Sequence, residues 1–198
     1  MLFRSPDKNA YASKKTDGRF HDIHHDHIQA LVLLTGVATG ERAAAAVQTL
    51  LDGSLHPATT SALPYLVRAL MPYSADSRRH TARLIRKIYG LMLEKGATSL
   101  WETPAGAADF DGAGSLCHGW SSLPVYYQSA CLLGVVPLEP GFRRFEVRPY
   151  SDEFTRYATG SVPTPAGPIE VSWQRREDGL RLTVRHPEAL ECVVADYP

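Results

Sequence analysis

Four residues whose side chains could do chemistry fall close together in this 198-residue sequence: Trp101, Glu102, His118 and Trp120. A carboxylate such as Glu102 can take a proton from water, and an imidazole can hydrogen-bond to hydroxyl groups. An indole offers a flat apolar face for packing or stacking and an N–H donor at its edge. The runs that carry them are Gly96-Ala97-Thr98-Ser99-Leu100-Trp101-Glu102 and Ser115-Leu116-Cys117-His118-Gly119-Trp120-Ser121. Taken as residue types alone, they also fit a surface glutamate beside core tryptophans, with His118 capping the next helix.

Two other groups invite a chemical reading. His21, His24, His25, Asp26 and His27 form a cluster, and His21 and His25 are four residues apart, as in a helical zinc motif. No glutamate follows the first histidine, so the cluster reads as a solvated helix start with one pocket-facing histidine, and no metal is expected. Asp109 and Asp111, in Asp109-Phe110-Asp111-Gly112, read as turn residues. Cys117, Cys131 and Cys192 are odd in number and widely spaced, which suits free, buried thiols in a reducing compartment.

The elements that must position these groups change character near Pro137. Before it, apolar residues recur with helical spacing; after it they alternate with a period of two. Helices are predicted over 22–39 with Gly40 as the stop, over 41–51, over 60–70 with Pro64 in the first turn, and over a fourth stretch carrying Leu84, Ile85, Ile88, Leu91 and Met92. A fifth is predicted over 121–133. The segment from Gly96 to Gly119 has no sustained period, and long loops of this kind inside compact domains tend to be functional. Beyond Pro137, Phe145 and Val147, then Ile169, Val171 and Trp173, then Leu180, Leu182 and Val184 alternate with polar residues, and Asp178-Gly179 signals a hairpin. The expected architecture is α+β: antiparallel helix hairpins over 1–136, then a small antiparallel β-sandwich over 137–198. Five helices close no common toroid, so an open array with exposed apolar faces is expected, completed by a preceding segment or a partner.

Several runs, in order, resemble one enzyme family. Gly96 to Glu102 is similar to the G-A-T-T-x-W-E motif of bacterial α-L-rhamnosidases of glycoside hydrolase family 78. Cys117-His118-Gly119-Trp120-Ser121-Ser122 resembles that family's C-H-G-W-S-A run, with Ser122 in place of alanine. Leu133-Gly134-Val135, Pro140-Gly141-Phe142, Arg148-Pro149 and the stretch from Val162 to Trp173 are similar to its passage into a C-terminal β-domain. His27-Ile28-Gln29-Ala30-Leu31 resembles a helix-opening H-x-x-A-L pattern of the family. The resemblance implies the C-terminal part of an (α/α)6 six-hairpin domain followed by a β-sandwich. It implies hydrolysis of terminal α-L-rhamnosides with inversion, Glu102 as the general base, and His118, Trp101 and Trp120 as substrate contacts. An inverting glycosidase needs two carboxyl groups roughly 6.5–9.5 Å apart, one protonating the leaving oxygen and one activating water. The segment that carries the family's general acid has no counterpart here, so the chain alone is expected to be inactive.

Other functions fit less well. The 21 basic and 21 acidic residues cancel, so no net field recruits nucleic acid or an anionic membrane. The longest apolar run, Ala30 to Leu34, is too short to span a bilayer. The residues from Met1 to Lys8 contain no apolar core of an export signal, and a cytoplasmic location is expected. No cofactor is implied. A sugar-binding or assembly module without catalysis is one alternative, and a six-hairpin glycosidase acting on another sugar is a second. The expected partners are a terminal α-L-rhamnose substrate and either the missing N-terminal half or a second copy of the chain.

Overall fold

A computed structural model describes residues 4–5, 8–151 and 153–195; the segment from Met1 to Lys8 lies partly outside them. The chain divides into two compact units, Met1–Leu123 and Pro124–Pro198. The class is α+β, with most of the helices in the first unit and most of the strands in the second.

The first unit opens with two small antiparallel pairs, β1 (Arg4–Ser5) with β2 (Ala10–Tyr11) and β3 (Lys15–Thr16) with β4 (Arg19–Phe20). The sequence pattern did not reveal them, because strands of two residues carry no measurable period. Four helices follow: α1 (Asp26–Leu34), α2 (Gly40–Asp52), α3 (Leu63–Leu70) and α4 (Ala75–Glu94). The buried Gln29 on α1 ties helix to strand, since its side chain accepts from the Tyr11 N–H and donates to the Tyr11 carbonyl, both at 2.8 Å. Its amide thereby replaces a strand partner that β2 lacks on that side.

Two helix ends differ from expectation. α1 stops at Leu34, because Gly36 takes φ 69° and turns the chain out. Gly40 does not close α1; it begins α2, with Thr39 as its extended N-cap. α3 tolerates Pro64 in its first turn, and α4 is capped by Ser74, whose hydroxyl accepts from the Ser77 N–H at 3.1 Å. The buried stripe of α4 is Thr81, Ala82, Ile85, Tyr89 and Met92, so the helix is rotated relative to its most apolar line. Leu91 is 40% exposed and Leu93 70%.

The predicted fifth helix is irregular. A 3-10 turn at Gly119–Ser122 leads into α5 (Leu123–Tyr126) and then a π-helical turn at Tyr127–Leu132. The wide turn leaves carbonyls that need other donors. Trp173 Nε1–H donates to the Leu132 carbonyl at 2.6 Å, and the Tyr150 N–H to the Cys131 carbonyl at 2.8 Å.

Gly134 then lets the chain enter the β unit. Its φ is 75°, and a Cβ there would stand 2.1 Å from the Arg148 backbone, so no other residue fits. One sheet joins β5 (Val135–Pro137), β6 (Arg144–Val147) and β10 (Glu191–Val194); the other joins β7 (Tyr157–Val162), β8 (Ile169–Arg176) and β9 (Gly179–Arg185). The second sheet is antiparallel, as the alternation predicts. The first is mixed: β10 runs parallel to β6, which corrects the expectation of wholly antiparallel strands. A parallel pair needs a long connection, and the whole β7–β8–β9 sheet supplies it. The turn between β8 and β9 is Glu177-Asp178, one residue earlier than predicted, closed by the Arg176–Gly179 pair. Gly179 takes the positive φ, at 131°. Phe145, Val147, Ile169, Val171 and Trp173 form the closed core with Leu133, Val135 and Leu190.

Candidate functional site

The loop between α4 and α5 folds back on itself through main-chain bonds. The His118 N–H donates to the Leu100 carbonyl at 2.8 Å, and the Glu102 N–H to the Ser115 carbonyl at 2.9 Å. These bonds bring together Trp101, Glu102, His118 and Trp120, the four residues singled out from the sequence.

Glu102 is strapped on every backbone group. Its carbonyl accepts from the Thr60 hydroxyl and from Trp120 Nε1–H at 3.4 Å, which occupies both lone-pair directions. Its carboxylate Oε2 accepts from the Ser115 N–H at 3.1 Å, while Oε1 has no partner among the described residues. The arrangement fixes one carboxylate oxygen and leaves the other free to accept. Thr60 is buried and stands at the turn that opens α3, so the helix array itself holds the loop.

Trp101 is half-buried and held in place from two sides. Its carbonyl accepts from the buried Ser121 hydroxyl at 2.6 Å. Its ring lies flush on Gly106, where a Cβ would stand 2.6 Å from the indole and where φ is 62°. A substituent at Gly106 would therefore push the indole away and, through residue 101, disturb Glu102. Trp120 is 43% exposed, and His118 stacks on it at 3.6 Å between ring centroids with 21° between planes. The Nδ1 of His118 is buried with no partner among the described residues. Asp109 accepts from the Phe110 N–H at 3.0 Å, and Asp111 sits at φ 56°, both within a turn of this loop. Thr60 and Ser121 escape a sequence reading, because a hydroxyl that bonds a distant backbone leaves no periodic trace, and Ser115 meets Glu102 only through its own backbone N–H and carbonyl.

The histidine cluster surrounds the start of α1. His24 is 4% exposed while His21, His25 and His27 are half-buried, and both ring nitrogens of His24 lack partners among the described residues. His25 Nδ1 lies 2.6 Å from the Ser13 hydroxyl, and its ring stands 5.1 Å from His27 and 5.3 Å from His56. Asp26 Oδ2 accepts from the Ala58 N–H at 3.3 Å. Burial pushes the Asp26 carboxyl above its usual range and pulls the His24, His27 and His80 imidazoles below theirs. Among the described residues no three His, Cys, Asp or Glu side chains are arranged to hold a metal ion. The three cysteines are free, but Cys117 is exposed and Cys192 half-buried, so only Cys131 is a buried thiol. Among the described residues no helix is long and apolar enough to cross a membrane.

Comparison with known proteins places these features in a family context. Residues 134–195 match the family model of the bacterial alpha-L-rhamnosidase C-terminal domain. An alpha-L-rhamnosidase of Alteromonas sp. (strain LOR) is 32% identical over 101 residues, 48% of this chain and 11% of that protein. The crystal structure of a GH78 family rhamnosidase of Bacillus sp. GL1 superposes with a TM-score of 0.85 at 30% identity, over 99% of this chain and 21% of that one. That of a Streptomyces avermitilis alpha-L-rhamnosidase complexed with L-rhamnose superposes with a TM-score of 0.72 over 93% of this chain and 19% of that one; at 21% identity it speaks to the fold. The chain thus spans about a fifth or less of the length of the relatives it matches.

Proposed function

We propose, on the premise that this chain is related to the C-terminal portion of bacterial α-L-rhamnosidases, that the protein it belongs to hydrolyses terminal α-L-rhamnosides with inversion and that Glu102 is the general base. The observation that carries this is the strapping of Glu102: backbone saturated, Oε2 held by Ser115, Oε1 free. In the reaction Oε1 takes a proton from water as the water oxygen bonds to the anomeric carbon. The bond from that carbon to the aglycone oxygen breaks on the opposite face, and a second carboxyl group protonates the departing oxygen. No carboxyl in this chain matches that second role, so the chain by itself holds half of the machinery. His118 bonds a sugar hydroxyl and Trp120 offers the exposed face for stacking, with Trp101 as the inner wall. On this reading residues 1–136 are the C-terminal part of an (α/α)6 toroid, and the exposed apolar residues Leu31, Leu34, Leu91 and Leu93 support it. Residues 137–198 are the accompanying β-sandwich domain.

The test is an aryl α-L-rhamnoside assay in two forms. The isolated chain should give no turnover. A chimera with this chain in place of the C-terminal fifth of the Bacillus sp. GL1 enzyme should turn over, and Glu102→Gln in it should lower kcat by at least about a thousandfold, on the order of 4 kcal/mol of barrier. Robust turnover by the isolated chain, or a fully active Glu102→Gln chimera, contradicts the assignment.

A further inference from the structure

The outward face of the β7–β8–β9 sheet is more ordered than solubility requires. Strand register sets its side chains in three rows: Tyr157, Gln174 and Arg181; Thr159, Ser172 and Thr183; Ser161, Glu170 and Arg185. All nine are exposed, while the residues between them point to the core. The middle row holds only short hydroxyl side chains, so on β8 and β9 it forms a floor between longer side chains, and on the β7 side it is open toward Ser161. With about 3.4 Å per residue along a strand, the outer rows stand roughly 14 Å apart, wide enough for a single chain of sugar rings. Two open concavities of about 480 and 530 Å³ lie on this face, one to either side of the Thr159–Ser172–Thr183 row that both share, and adjoining there they make a shallow trough.

The charge of the trough is one-sided in a chain whose net charge is zero. Arg176, Arg181 and Arg185 line it against the single carboxylate of Glu170. None of the three arginines takes part in an ion pair among the described residues. A guanidinium fork matches a carboxylate bidentately, hydroxyl side chains match sugar hydroxyls, and Tyr157, 70% exposed at the rim, offers a ring face. The hydroxyl floor and the intervening Glu170 suit a ligand with carboxylates spaced along a neutral, hydroxyl-rich chain better than a phosphate at every unit.

We propose that this trough binds a carboxylated polysaccharide, a chain containing uronic acid units, which lies across β7, β8 and β9 over the Thr159–Ser172–Thr183 row. The site goes beyond the hydrolytic reading and is independent of it. It would hold polymer at the β unit whatever Glu102 does.

Native affinity electrophoresis of the full chain in gels containing polygalacturonate tests it. Retardation is expected, weakened about tenfold or more by the double variant Arg181→Ser, Arg185→Ser, in line with loss of hydrogen bonds to a charged group. Ser172→Trp, which fills the floor, should abolish it, and Glu102→Gln should leave it unchanged. Fully methyl-esterified polygalacturonate, the same chain without charge, should retard at least about tenfold less. The substituted residues are all exposed, and circular dichroism verifies that each variant is folded. The proposal is overturned by no retardation in polygalacturonate, by retardation that survives Ser172→Trp, or by equal retention in dextran sulfate or single-stranded DNA, which marks polyanion attraction alone.

Discussion

The β unit and the Glu102 loop are stabilised by different physics. In the β unit, eight apolar residues from β5, β6, β8 and the flanking segments close a core, and each is at most 8% or so exposed. The loop has little such core: Trp101 rests on Gly106, and the rest is held by hydroxyl and indole donors aimed at main-chain carbonyls. Apolar burial is insensitive to small rotations, whereas a hydrogen bond is lost within a few tenths of an ångström and some tens of degrees. The β unit should therefore accept apolar exchanges that keep its alternation and volume, whereas the geometry of the loop should depend on the few positions that aim its donors.

Substitutions should separate the two regimes, beginning with the largest effect. Trp173→Ala removes a core indole and the donor that satisfies the Leu132 carbonyl, and should cost about 3–5 kcal/mol in urea unfolding followed on the β unit. Thr60→Val keeps shape but removes one donor to the Glu102 carbonyl; a loss of about 1 kcal/mol is expected. Gly106→Ala should add a change in tryptophan fluorescence as the Trp101 ring is displaced. Equal stability losses for Trp173→Ala and Thr60→Val would erase the difference between the two regions.

Acid should act on the helical unit through one buried and two half-buried imidazoles. His24, His27 and His80 have folded pKa values below the ordinary 6.5, so the unfolded chain binds more protons below that pH. Stability is complete above about 6.5 and falls as pH drops from there through the lowered folded values. Asp26 acts in the opposite sense, from a lower starting pH. Its folded pKa is raised, so stability is lost as pH climbs from the ordinary 3.8 through the folded value. Melting curves at pH 7.5 and 5.5 should show a lower midpoint at 5.5, and His24→Gln should shrink the difference. The smallest perturbation is chemical. A maleimide should label Cys117 in the folded chain and spare Cys131, whose thiol burial pushes up to about 12.

How much of this was legible beforehand differs between the two regions. Phe145, Val147, Ile169, Val171 and Trp173 announce the β core, because alternation in sequence is alternation across a sheet. What alternation does not encode is direction, and the parallel β10–β6 pair came as a departure. In the loop, Trp101, Glu102, His118 and Trp120 stood out by residue type and by motif, but Thr60 and Ser121 did not. They act through a hydroxyl reaching 42 and 20 residues away, and only the folded chain reveals what lies within reach.

The sequence by itself determined which residue types surround Glu102, where helices give way to strands, and which side chains fill the β core. Those properties depend on local conformation and on periodicity, which a chain carries along its length. The tertiary structure decided that the Glu102 carbonyl is held by Thr60 and Trp120, that His24 is buried, and that a floor of hydroxyls lies between longer side chains on β8 and β9 of the outer sheet. Each of these depends on distance between residues remote in sequence, and distance is fixed only when the chain has folded.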